Sequence, residues 1–140
     1  MKMKTVLPIF YLPPVSWFAE FLKEENEILL EQHENFPKQT YRSRCNIYGA
    51  NGKLALLLPI HHNGKRAMKD LEISYAEDWQ KLHWKSIKIA YQSSPYFEYY
   101  EDKLKQIFSV QPTSLIEFNL NALKIILQIL KVDKDYSLTT

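Results

Sequence analysis

The sequence predicts a mixed domain, α/β or α+β, in which an N-terminal βαβ unit and a hairpin form a mixed sheet and three helices then pack on it. Three observations lead there. Two short strand-like segments, over residues 6–12 and 27–32, flank an amphipathic stretch. Residues 39–48 alternate in polarity and lead through Asn51-Gly52 into the apolar run 54–60. From Ser74 onward the apolar residues recur at helical spacing.

Residues 6–12 read as a first strand, interrupted in character by Pro8 and closed by the Pro13-Pro14 turn. Ser16 can cap a short helix that carries Trp17, Phe18, Phe21 and Leu22 on one side and ends at Asn26. Residues 27–32 follow as a second strand. A crossover of this kind is right-handed and its strands parallel. In the run 39–48, Thr40, Arg42, Arg44 and Asn46 face one way, and Tyr41, Ser43, Cys45 and Ile47 the other. The pair Asn51-Gly52 suits a type I′ turn, and the near-continuous apolar run 54–60 suits a central strand. Residues 68–73 read as one more strand.

Ser74-x-x-Glu77 has the form of a capping box. The helix after it places Trp79, Leu82, His83, Ser86, Ile87, Ala90 and Tyr91 on one face and Lys81, Lys85 and Lys88 on another. Pro95 suits the first turn of a second helix with Phe97, Tyr100, Leu104, Ile107 and Phe108 as its stripe. Ser114-x-x-Glu117 caps a third helix, with the stripe Ile116, Leu120, Leu123, Leu127 and Leu130.

The 140 residues fit one domain over 1–140, with 46% apolar residues for a core and 24% charged residues for a soluble surface. A net charge of +2, from 18 basic and 16 acidic side chains, argues against nucleic acid as a partner. The lone Cys45 fits a reducing compartment. Neither a signal peptide nor a membrane span is expected, so the expected compartment is the cytoplasm.

No strong catalytic motif is present: no glycine-rich phosphate loop, no HExxH, no CxxC and no GxSxG. Only three glycines are available, which excludes a dinucleotide fingerprint. No cofactor is specified. Several weaker features are candidates. Arg42 and Arg44, about 7 Å apart on one strand face and preceded by Lys38 and Gln39, could clamp an anion, stand as a solvated face, or be neutralised by Glu31 and Glu34 in a structural ion pair. Four histidines occur: His33, His61, His62 and His83. His83, on an apolar helix face, could act as an acid or base, or serve as a core histidine with a hydrogen-bond partner. Adjacent His61 and His62 point to opposite faces of a strand, and no metal site is expected. Phe10-Tyr11-Leu12-Pro13-Pro14 with Trp17, a strand end leading through a proline turn into a helix N-terminus, could bind an anion by its free N–H groups or staple the helix entry.

Taken together these stretches resemble the WbqC-like family. Tyr11-Leu12-Pro13, Lys38-Gln39-Thr40-Tyr41-Arg42-Ser43-Arg44 with Ile47, Leu56-Leu57-Leu58-Pro59-Ile60, Lys69-Asp70-Leu71-Glu72-Ile73, and Trp79 to His83 with Tyr91 and Ser94-Pro95-Tyr96-Phe97 carry the resemblance in order and spacing. The resemblance implies a role in cell-surface polysaccharide (O-antigen) biosynthesis in bacteria, as a small-group transferase or an accessory factor. It implies that the arginine strand stands in the place of the family's Asn-Arg stretch and His83 in that of its helix histidine; on that footing Arg42 and Arg44 are expected to hold an anionic small molecule or sugar nucleotide, with His83 as acid or base and Tyr11 and Trp17 stacked on the ligand. A non-catalytic anion-binding, carbohydrate-binding or protein-interaction module is the alternative, and an oligomer is compatible with either. The chain departs from the family in three places. Leu7-Pro8-Ile9 stands for the family's His-Gln-Pro, and Ser43 for its Asn. The family's C-terminal section, beyond the equivalent of Tyr136-Ser137-Leu138-Thr139-Thr140, is expected to be lacking.

Overall fold

A computed structural model describes residues 3–23, 26–35, 41–49, 52–61, 64 and 66–140. The chain is α+β. Strand β1 (Met3–Pro8), helix α1 (Val15–Phe21) and strand β2 (Asn26–Glu31) form the expected βαβ unit, with β1 and β2 parallel from Met3↔Asn26 to Pro8↔Glu31. The first strand starts and ends earlier than the apolar run suggests, because Ile9 and Tyr11 leave the ladder and sink into the core. Ser16 lies inside α1 and does not cap it. Pro14 holds the N-cap position in an extended conformation, with no side-chain bond. Trp17 Nε1 donates to the Pro8 carbonyl at 2.8 Å, and the Trp17 ring stacks on Phe21, with centroids 5.1 Å apart. Those contacts anchor the short helix to the end of β1.

The hairpin consists of β3 (Arg44–Gly49) and β4 (Gly52–Leu57), paired antiparallel from Arg44↔Leu57 to Gly49↔Gly52. It forms its own two-stranded sheet and does not join β1 and β2. Gly52 closes the ladder with φ of +101°, a left-handed value that suits glycine. β4 is not the central strand that its leucines suggest. Leu54 and Leu57 are 47% and 57% exposed, and within β4 only Leu56 is buried. Strands β5 (Ile60–His61) and β6 (Glu72–Ile73) make a third, minimal sheet. A single 3-10 turn at Met68–Asp70 replaces most of the strand expected over 68–73.

Three helices follow: α2 (Trp79–Tyr91), α3 (Phe97–Ile107) and α4 (Leu115–Leu130). The capping box expected at Ser74 is displaced, and Asp78 caps α2 by accepting from the Lys81 N–H at 3.2 Å. Ser74 is committed elsewhere: its N–H bonds the Pro59 carbonyl and its hydroxyl accepts from Ala76. The second box holds, with Ser114 accepting from the Glu117 N–H at 3.2 Å. α4 buries more than one stripe. Phe118, Asn119, Ala122 and Ile125 are inside as well as Ile116, Leu123 and Leu127, whereas Leu130 is half exposed. Lys131 then takes a left-handed conformation and ends the helix. The chain returns to the first sheet as β7 (Tyr136–Leu138), parallel to β2, which gives the order β1-β2-β7. No described helix is long and apolar enough to cross a membrane.

Candidate functional site

His83 sits on the apolar face of α2, 2% exposed. Its Nε2 lies 3.0 Å from the Leu57 carbonyl of β4, and its Nδ1 lies 2.7 Å from the Tyr11 hydroxyl. A carbonyl only accepts, so Nε2 carries the proton and donates to Leu57. Nδ1 is then the lone pair, and the Tyr11 hydroxyl donates to it. Both ring nitrogens are therefore used. Burial pushes the imidazole down to about 4, against a smaller upward pull from the Leu57 carbonyl, so it is neutral at pH 7. Trp79 meets the ring edge-on at 5.0 Å, and Tyr11 and Phe108 complete the surround.

Tyr11 is fully buried, and its N–H bonds the Tyr41 carbonyl at 2.8 Å. Burial holds its hydroxyl well above the usual range, with Cys45 adding to the effect. The Cys45 thiol is itself pushed up to about 12 by burial, as an inert core thiol would be. Trp17 is 5% exposed, so neither of the two rings presents a face to solvent. Trp17 is also not part of the His83 surround; its contacts are with Pro8, Phe18 and Phe21.

The arginines divide. Arg42 falls in a turn ahead of β3, where its Nε and one terminal nitrogen lie 2.6 and 3.2 Å from the two carboxylate oxygens of Glu34. Its guanidinium also lies 5.3 Å from the Phe10 ring centre. Arg44 is in β3, half-buried, and no carboxylate among the described residues pairs with it. Asn46 and Tyr48 share its strand face by alternation. Tyr48 is 64% exposed, and the Asn46 side-chain oxygen is buried with no hydrogen-bond partner among the described residues. Lys38, Gln39 and His62 lie outside the described residues. His33 and His61 are exposed, and no cluster of three His, Cys, Asp or Glu that could hold a metal forms among the described residues. The lysine stripe of α2 is a wet face, with Lys88 bridging to Glu101 of α3 at 3.0 Å.

A groove of about 780 Å³ runs between β4 and α2. Leu57, Pro59, Glu77, Asp78, Leu82 and His83 are among the residues that line it. The model of the WbqC-like protein family matches residues 10–140. The chain belongs to that family. No curated protein and no solved structure matches the chain.

Within this WbqC-like chain, reading the sequence by itself misses Asn119. It is 1% exposed on α4, its amide nitrogen donates to the Arg42 carbonyl at 2.9 Å, and its oxygen has no partner among the described residues. A polar residue in an apolar helical run was the available signal. Tyr48 is not singled out by the sequence either; its place on the Arg44 face follows from alternation alone.

Proposed function

We propose that this WbqC-like protein is a cytoplasmic, non-catalytic accessory factor of cell-surface polysaccharide (O-antigen) biosynthesis that holds an anionic carbohydrate on the exposed face of β3. The family match and the resemblance support the polysaccharide setting. The observation that carries the binding reading is the row Arg44, Asn46 and Tyr48. Among the described residues, a guanidinium without a carboxylate partner and a well-exposed ring lie on one strand face, with the amide of Asn46 between them at two-residue spacing. Guanidinium forks suit carboxylate or phosphate, amides suit sugar hydroxyls, and tyrosine rings suit the apolar face of a sugar. A transferase would need a base with a lone pair open to substrate. His83 has none to offer in this arrangement, which favours holding over transfer.

A thermal-shift titration with nucleotide sugars and uronic or phosphorylated saccharides tests the reading. A ligand at about a hundred times its Kd stabilises the fold by roughly 2.7 kcal/mol. The expected result is a shift that Arg44→Ala and Tyr48→Ala both abolish, with the ligand recovered unchanged. No shift with any of these ligands, or turnover of one of them, overturns the proposal.

A further inference from the structure

We propose that β4 is a pairing edge and that two copies of this chain join antiparallel through it. Among the described residues no third strand joins the hairpin, so each of its strands has one side without a strand neighbour. Three bonds fix which backbone groups face outward. The Leu58 N–H bonds the Ser43 carbonyl, which sets the residues whose groups point into the ladder. By alternation Leu54 and Leu56 also point inward, and Lys53, Ala55 and Leu57 point outward. The Leu57 carbonyl reaching His83, and the Tyr48 N–H meeting the Tyr91 hydroxyl across the hairpin, agree with that phase. Outward-facing peptide groups on an apolar strand are a template for another strand unless they are covered. β4 bears Leu54 and Leu57, both well exposed, and faces Leu82 of α2, 61% exposed, across the groove.

A second copy fits this edge because its charges are self-complementary. Lys53 stands at one end of β4. Glu77 and Asp78 stand at the other, since the Ser74 N–H ties the chain just before them to the Pro59 carbonyl just after β4. A two-fold axis at Ala55 places each Ala55 N–H on the other's carbonyl. Lys53 of each copy then lies opposite Leu57 of its mate, on the acidic side of the groove. Each Leu57 N–H remains available as a donor, although its carbonyl is held by His83. An isologous contact of this kind satisfies both copies at once and closes at two. The axis stands perpendicular to the sheet, so both Arg44 rows fall on one side of a four-stranded sheet, about 14 Å apart at three strand spacings. The dimer itself is independent of the carbohydrate reading; only this pairing of two binding rows rests on it.

Sedimentation velocity on the full chain tests the dimer, with circular dichroism confirming that each variant folds. The wild type is expected at twice the chain mass. Ala55→Pro removes an outward N–H and no bond to β3, and is expected to give a monomer. Lys53→Glu is also expected to give a monomer, and adding Glu77→Lys to it is expected to restore the dimer. A monomeric wild type, or a dimer that survives both single changes, overturns the proposal, as does a double variant that stays monomeric while folded.

Discussion

The ring nitrogens of His83 and the side-chain oxygen of Asn46 are all shut off from solvent, and the fold treats them differently. Each nitrogen of His83 has a partner, one 26 and one 72 residues distant in sequence. The Asn46 oxygen, on the other strand of the hairpin that His83 grips, has none. Buried polar groups without partners carry a free-energy penalty that evolution removes unless something else supplies the missing bond. The first arrangement therefore locks α2 to the hairpin and to the residues after β1. The second leaves a shielded acceptor with no donor among the described residues.

Breaking the satisfied side should have the largest effect. His83→Ala leaves the Tyr11 hydroxyl without an acceptor in the core and opens a cavity beside Trp79. It should lower stability by about 3 kcal/mol or more, read from urea unfolding. Acid should act on the same group. The imidazole titrates near 4 when folded and near 6.5 when unfolded, so the unfolded chain binds the extra proton between those values. Stability should therefore be full above pH 6.5 and fall as the pH drops towards 4, by about 3 kcal/mol from this group. His83→Gln should flatten that stretch of the pH profile; an unchanged slope would mean that His83 is not its source.

Smaller changes sharpen the contrast. Tyr11→Phe removes one donor and keeps the ring, so it should cost about 1–2 kcal/mol. Glu34→Gln weakens the contact with Arg42 across two partly buried side chains and should cost about 1 kcal/mol, less at high salt. Arg44→Ala should leave unfolding within about 0.5 kcal/mol of wild type while abolishing ligand-induced shifts. A large loss of stability from Arg44→Ala would assign that side chain to the fold and remove the contrast between the two regions.

The sequence discloses local features better than distant ones. The βαβ start, the hairpin and the Ser114 cap each depend on residues a few positions apart, and all three form. The Ser74 box fails because Pro59 and Ala76 claim the same residue, a competition invisible in a local pattern. Leucine content alone made β4 look central; whether a third strand covers an edge depends on tertiary placement. Helical spacing put His83 on an apolar face correctly. Its partnership with Tyr11 could not be read, because nothing in either segment specifies the other. The Arg42–Arg44 pair was expected on one strand face, but the chain is still turning at Arg42 when β3 begins at Arg44.

The return of β7 to β2 has a consequence for the order of events when the chain is made. Leu30 pairs with Leu138, and Gln32 bonds Thr139 by its backbone and its side chain. The middle strand of the first sheet thus gains its second neighbour only from residues 107 positions or more downstream. Until those residues leave the ribosome, one side of β2 has no strand to meet. Closing so long a loop is slow relative to forming the hairpin or any helix. The hairpin and α2 can assemble early around His83, and the parallel sheet is expected to close last.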